Sequence, residues 1–212
     1  GDWLAWSPDG HTLTWVRANV LESLDIDRLK APELDEGASR DWSAGVERTP
    51  VTLTVPRDRP TEVVAYTGAR LVTMNGDEVL EGATLVVEGD RIAQIGGEVP
   101  AGARVVDLAG KTVIPGFVDI HAHLHYTAGD ILPEQEWRYL ANLHFGVTTV
   151  HDPSASTDLV FTQGEMVEAG FQEGPRVFST GFILYGALNN RGAKTPDRDA
   201  AFGHVQRLKD LG

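Results

Sequence analysis

The first stretch of the chain alternates short apolar runs with one tight turn. Two apolar runs within residues 3–16 flank Ser7–Gly10, which reads Ser-Pro-Asp-Gly. Proline pre-sets φ for a turn, aspartate caps it, and glycine adopts the left-handed conformation. The pattern predicts a β-hairpin, with Val20–Ile26 as a further strand. Residues 31–50 combine Pro, Gly, Ser and mixed charges without periodicity, which predicts a linker.

Residues 51–115 are rich in short apolar and β-branched segments that are separated by turns. Val51–Val55 alternates between apolar and polar residues, and the turns include Asn75-Gly76 and Glu88–Asp90. Short strands at this spacing are typical of all-β units. We therefore predict a small β-sandwich over residues 51–115.

From Gly116 onward, strand-like and helix-like segments alternate three times. Proline at the start and glycine just past the end mark the first helix. The predicted elements are strand 117–120, helix 133–145, strand 147–150, helix 157–170, strand 176–179 and a helix that starts near residue 195. This alternation is typical of a parallel α/β sheet or barrel, so the predicted fold class is α/β.

The charge balance and composition exclude several classes of partner and site. The chain has 18 Lys and Arg against 31 Asp and Glu, a formal net charge of −13. Such a field repels nucleic acid and anionic lipid, so neither is expected as a partner. No apolar run approaches the ~20 residues that span a bilayer, so no membrane insertion is expected. The chain has no cysteine, which excludes disulfides and thiolate metal ligands.

The sharpest chemical feature is the pair His121 and His123 at the end of the strand predicted over 117–120. Side chains at i and i+2 of a strand point to the same face, so both imidazoles can approach one metal. Ala122 between them is expected to face outward, toward a helix. The carboxyl ends of strands are where α/β barrels place their active sites. Imidazole ligands suit a divalent metal such as zinc.

Other polar residues on the same rim are weaker candidates for substrate binding. His125 continues the i, i+2, i+4 series, although the chain could already have left the strand there. Tyr126 could line a pocket or be an ordinary loop aromatic. His151 and Asp152 end the second strand, where Asp152-Pro153 could equally start the next helix. Asp119 is expected to make structural hydrogen bonds beneath the site.

Several motifs resemble the amidohydrolase superfamily, in particular its imidazolonepropionase-like members. Val113–His123 contains the Pro-Gly-x-x-Asp-x-His-x-His pattern that is typical of the first barrel strand in that superfamily. Phe145–Val150 is similar to its second strand, and Gly174–Val177 is similar to the lead into its third. The resemblance covers residues 62–212.

The resemblance implies a (β/α)8 barrel with a composite β-sandwich built from segments before and after it. It implies that His121 and His123 bind the first metal. It also implies a Lys or Glu on the fourth strand, a His on each of the fifth and sixth, and an Asp on the eighth. Only 97 residues follow Pro115, whereas such a barrel takes about 250. We therefore expect the first three βα units of an incomplete TIM-type barrel, with the catalytic residues beyond residue 212.

The function that this resemblance implies is metal-dependent hydrolysis of carbon–nitrogen bonds other than ordinary peptide bonds, for example in a cyclic amide. The nucleophile would be a metal-activated water and the partner a small-molecule substrate. The fragment is expected to be inactive alone. Two alternatives stay open, a non-catalytic binding module and a deaminase of the same superfamily. The sequence gives neither the substrate nor the number of metals, and it leaves a homo-oligomer open.

The N-terminal turn carries a second resemblance. Trp6–Gly10 is similar to the blade hairpin of the periplasmic Tol-system β-propeller family, which implies a propeller remnant. It favours a periplasmic or extracellular location and leaves a cytoplasmic one open. The expected domains are a partial blade over 1–30, a linker over 31–50, a β-sandwich over 51–115 and the N-terminal part of the barrel over 116–212.

Overall fold

The computed structural model describes residues 2–17, 19–28, 45–123, 131–185 and 195–211. These residues divide into two compact units, one of residues 1–55 with 184–212 and one of residues 56–183. The sequence assigned residues 184–212 to the barrel, whereas their contacts group them with the N-terminal unit. Each unit is described separately below.

The first unit contains a four-stranded antiparallel sheet in the order β1-β2-β3-β4. Its strands are β1 (Asp2–Trp6), β2 (Thr12–Arg17), β3 (Val20–Asp25) and β4 (Val46–Pro50). The predicted hairpin turn is confirmed, because Gly10 adopts a φ of +75° and its N–H donates to the Ser7 carbonyl at 2.9 Å.

Strand β4 corrects the prediction of a linker over residues 31–50. Val46 pairs with Leu24 and Pro50 pairs with Val20, so residues 46–50 extend the sheet. The strand lies at the sheet edge and most of its side chains are exposed, so its sequence carries no apolar alternation. Residues 31–44 of that predicted linker lie outside the described residues.

A buried carboxylate holds the middle of this sheet together. Glu22 on β3 is only 4% exposed. It accepts hydrogen bonds from Trp15 Nε1 at 2.5 Å, Arg17 at 2.9 Å and Arg48 Nε at 2.9 Å. Strands β2, β3 and β4 therefore meet at one charged side chain on β3, which accepts hydrogen bonds from donors on β2 and β4.

The second unit begins with one mixed sheet of five strands. The strands are β5 (Val63–Val72), β6 (Val79–Glu88), β7 (Arg91–Ile95), β8 (Arg104–Asp107) and β9 (Thr112–Val113). The order is β7-β6-β5-β8, with β9 also paired to β5. Strands β8 and β9 run parallel to β5, whereas β6 is antiparallel to β5 and to β7. Its buried apolar residues include Val64, Ala65, Ala69, Leu71 and Val86.

This sheet corrects the predicted sandwich in two respects. Residues 63–113, all of which are described, form a single sheet rather than two packed sheets. Val51–Val55 alternates as a strand should, yet it forms no ladder and Leu53 is 87% exposed. Pro50 and Pro56 flank this segment, and proline lacks the N–H that a ladder requires.

The rest of the second unit is a three-stranded parallel sheet with helices. Its strands are β10 (Phe117–Asp119), β11 (Val147–Asp152) and β12 (Arg176–Ser179), in that order. Helix α1 (Trp137–His144) packs against β11, and α2 (Thr157–Ala169) packs against β12. The predicted alternation of strand and helix is thus confirmed for these elements. A closed barrel stays a prediction.

Local interactions explain where these helices begin and end. Helix α1 was predicted from residue 133, but it starts at Trp137 because the Glu136 side chain accepts the Arg138 N–H at 3.0 Å. Helix α2 ends at Ala169, and its C-cap is Gly170, whose φ of +87° few other residues tolerate. Helix α3 (Arg198–Leu211) belongs to the first unit. Across the described ranges, no helix is both long and apolar enough to cross a membrane.

Two close backbone approaches fix the packing of the parallel sheet. Tyr139 of α1 and Val150 of β11 are fully buried against each other, and Ala122 packs on them. A Cβ at Gly174 would lie 2.8 Å from the Tyr139 ring, and a Cβ at Gly116 would lie 2.1 Å from Thr148 Oγ1. Glycine at these two positions therefore lets β12 reach α1 and lets β10 reach β11.

Candidate metal centre

The candidate site lies where the chain leaves strand β10. Asp119 is the last residue of the strand, and its Oδ1 accepts the backbone N–H of His121 at 3.0 Å. This side-chain-to-backbone bond is an Asx-type turn, which ends the strand and directs the following residues. Asp119 therefore has the structural role beneath the site that the sequence predicted.

The structure brings the His121 and His123 rings together. Their centroids are 5.1 Å apart and their planes are inclined by 76°. Two imidazoles that share a tetrahedral zinc at Zn–N distances of about 2.0–2.1 Å have centroids about 5 Å apart. Both rings are exposed, whereas Ala122 packs against Tyr139 of helix α1 as expected. The centroid separation and the imidazole chemistry are compatible with two ligands of one divalent metal.

The neighbouring strand β11 holds the backbone of this segment. The Ala122 N–H donates to the His151 carbonyl at 3.0 Å, and His151 Nδ1 lies 3.3 Å from the Ile120 carbonyl oxygen. A carbonyl oxygen only accepts, so Nδ1 is the protonated nitrogen of His151 in this contact. His151 was predicted to bind substrate, and the structure places it against the backbone of the histidine pair.

Asp152 makes a contact at the site that the sequence did not predict. It is fully buried at the end of β11, and its Oδ1 lies 3.6 Å from His123 Nδ1. The same oxygen accepts the Ser154 N–H at 2.8 Å. The sequence left Asp152 undecided between the rim and the start of a helix, because its approach to His123 depends on how β10 and β11 pair.

The remaining candidates do not complete a metal site within the described residues. His125 and Tyr126 lie outside them. Within the described ranges, no group of three or more His, Asp or Glu side chains is arranged to hold a metal ion. Zinc in proteins usually has four ligands, so the two histidines supply half of a typical set.

Comparisons with known proteins place these residues in a family. A family model described as the amidohydrolase family matches residues 104–171, which include both histidines, His151 and Asp152. An enamidase from Eubacterium barkeri is 45% identical over 78 residues, which are 34% of this chain and 20% of the relative. An imidazolonepropionase from Paenarthrobacter aurescens is 40% identical over 86 residues, which are 38% of this chain and 21% of the relative.

Solved structures with the same fold give longer alignments. A protein from Bifidobacterium longum that is named as a candidate prolidase aligns with a TM-score of 0.58 and 26% identity, over 72% of this chain and 39% of that one. A Xaa-Pro dipeptidase aligns with a TM-score of 0.56 and 18% identity, over 71% of this chain and 45% of that one, which shows the shared fold alone.

The chain spans about a fifth of the length of the curated relatives that it matches. Within that span, the residues that match the family include the Pro-Gly-x-x-Asp-x-His-x-His motif. The family match over residues 104–171, the aligned relatives and the shared fold together support assignment of this chain to the amidohydrolase superfamily.

Proposed function

We propose that this chain supplies the first metal-binding pair of a metal-dependent hydrolase that acts on carbon–nitrogen bonds other than ordinary peptide bonds. The observation that supports the proposal is the pair of exposed imidazoles whose centroids lie 5.1 Å apart beyond β10. His121 and His123 would hold a divalent metal, and imidazole ligands favour zinc. The match of residues 104–171 to the amidohydrolase family supports the reaction class.

The roles of the chain's own residues follow from their contacts. His121 and His123 would bind the metal. Asp119 and His151 fix the backbone around His121 by hydrogen bonds. A metal held by these residues would lower the pKa of a coordinated water and so would provide a nucleophile near neutral pH. Because the described residues offer two ligands, we expect this chain by itself to bind zinc weakly and to show no measurable hydrolysis.

The substrate class is proposed from the relatives. Two curated relatives are named enamidase and imidazolonepropionase, and one structural neighbour is named as a candidate prolidase. We therefore propose a small molecule with a cyclic amide or a dipeptide-like bond as substrate. Metal-supplemented turnover assays on cyclic amides and proline dipeptides test this, with aminopurines in parallel. Turnover of the aminopurines alone would instead assign a deaminase.

The metal site itself is tested by zinc affinity, measured by competition with a chromophoric chelator. His121→Ala and His123→Ala should each lower the affinity by at least about tenfold, since each removes one of two imidazole ligands. His144→Ala is the matched control, because His144 is an exposed histidine at the end of α1. Equal affinity in all three variants would refute the proposed site.

A further inference from the structure

A fully buried carboxylate stands beside the histidine pair without being one of its proposed ligands. Asp152 Oδ1 lies 3.6 Å from His123 Nδ1, and the His123 side chain is 49% exposed. Burying a carboxylate costs free energy unless hydrogen bonds or a charged partner offset it. One compensating contact is the Ser154 N–H, which donates to Oδ1 at 2.8 Å, and the same oxygen is the one that lies 3.6 Å from His123 Nδ1.

We propose that Asp152 is a positioning residue that fixes the tautomer and orientation of His123 for metal binding. A carboxylate accepts hydrogen bonds and does not donate them, so it favours the tautomer with the proton on Nδ1. The lone pair then resides on Nε2, the nitrogen that would bind the metal. Carboxylates behind metal-binding imidazoles act in this way and make the ligand more basic. The inference rests on the proposed metal site.

The distance and the surrounding backbone define the strength of this contact. At 3.6 Å the contact is electrostatic rather than a full hydrogen bond. Residues 120–122 are nevertheless tied to β11 by two further contacts, from Ile120 and Ala122 to His151. The pairing of Asp119 with Val150 sets the register that brings Asp152 to His123. The approach therefore follows from strand pairing and not from one flexible side chain.

A purely structural role for Asp152 makes a different prediction. Its side chain accepts the Ser154 N–H and so shapes the turn that leads from β11 to α2. If that were its whole role, loss of the carboxylate would lower stability and leave the His123 tautomer unchanged. The state of the imidazole therefore separates the two roles.

The tautomer can be read directly from imidazole ¹⁵N shifts of the metal-free 212-residue chain, above the pH at which histidine is protonated. We expect neutral His123 to carry its proton mainly on Nδ1. A wild-type chain in which His123 carries it mainly on Nε2 would overturn the inference. This measurement needs no metal and no activity, so it stands apart from the proposed function.

Zinc affinity provides the second test. Asp152→Ala should weaken binding by about 10–100-fold, and Asp152→Asn by less, because the amide oxygen still accepts but carries no charge. Ser179→Ala is the matched control, since Ser179 Oγ donates to the Asp152 backbone carbonyl at 2.8 Å and its loss spares the carboxylate. It should leave the affinity unchanged.

Undiminished zinc affinity in Asp152→Ala would refute the positioning role. If Asp152→Ala does not fold, the wild-type tautomer decides the inference alone. Absence of zinc binding in the wild type would refute the proposed function, and the tautomer measurement would still decide the role of Asp152.

Discussion

At the scale of single residues, the behaviour of the buried polar groups depends on partners that are distant in sequence. The strand period predicted His121 and His123 on one face of the strand, whereas the strand ends at Asp119 and the two rings lie 5.1 Å apart beyond it. The carboxylate beside His123 could not be predicted, since it lies 29 residues away and arrives through strand pairing. The same holds for Glu22, whose donor Arg48 comes from a strand that the sequence did not reveal.

Glu22 gives a prediction for stability against pH. Burial raises the pKa of its carboxyl, but hydrogen bonds from Arg17, Trp15 and Arg48 outweigh burial, and the net pKa lies below its ordinary value of 4.5. A carboxyl with a lowered folded-state pKa stabilises the protein above the unfolded-state value, and that contribution is lost as pH falls below about 4.5. The first unit should therefore lose stability on acidification through this range.

Glu22→Gln should destabilise the first unit by about 1–3 kcal/mol at pH 7, because charge-assisted hydrogen bonds are replaced by neutral ones. Urea unfolding at neutral and acidic pH measures this, and the difference between variant and wild type should shrink in acid. Glu47→Gln is the control, since Glu47 makes an exposed pair with Arg28 at 3.2 Å and such pairs contribute at most about 1 kcal/mol. Equal losses for both variants would contradict the proposed role of burial.

At the scale of elements, periodicity predicted which segments form strands and helices better than it predicted where pairing occurs. Strands β10, β11 and β12 and helices α1 and α2 form within the segments where the apolar pattern predicted them, although α1 begins four residues later than predicted. Strand β4 was missed because its exposed edge needs only backbone bonds. The strand predicted over 51–55 fails because prolines flank it.

The close contact between β10 and β11 predicts that adding a methyl group at Gly116 lowers the free energy of unfolding. Gly116→Ala should destabilise the second unit by about 1–3 kcal/mol, since its Cβ would overlap the short, branched Thr148 side chain. Gly164→Ala is the matched control within the same unit. The added Cβ would lie 3.5 Å from Val177, which is an ordinary contact. Because alanine favours a helix more than glycine does, Gly164→Ala should raise the free energy of unfolding by about 0.5–1 kcal/mol.

Thermal unfolding monitored by circular dichroism distinguishes the two variants, which should shift the midpoint in opposite directions. A neutral Gly116→Ala would mean that β10 and β11 can separate without loss. Zinc affinity should fall along with stability in Gly116→Ala, because β10 leads directly into the histidine pair.

At the scale of the whole molecule, the described residues leave much apolar surface in contact with water. Strand β10 lies at one end of the sheet order, and Phe117, Val118 and Ile120 are each more than half exposed. An exposed, apolar edge strand offers unpaired N–H and C=O groups to any other chain. The grouping of residues 184–212 with residues 1–55 was not predictable, because it depends on contacts between segments far apart in the chain.

This surface predicts self-association of the 212-residue chain. The chain should bind a hydrophobic dye and form larger species with rising concentration, as measured by light scattering. Val118→Lys should weaken both effects, because a charge on an edge strand opposes pairing. Leu53→Lys replaces a residue that is 87% exposed outside any strand, so it should leave association unchanged. A monodisperse monomer at all concentrations would show that the β10 edge does not mediate self-association.

The contacts from β11 to residues 120, 122 and 123 also bear on how such a centre can be transferred between proteins. Transfer of only the segment with the two histidines to another barrel would omit the groups on β11 that contact it. These groups are the carbonyl and imidazole of His151 and the carboxylate of Asp152. The unit that must be transferred therefore comprises both β10 and β11 with the residues that follow β10. Chimaeras between related enzymes should keep metal capture only when the crossover point falls outside both strands.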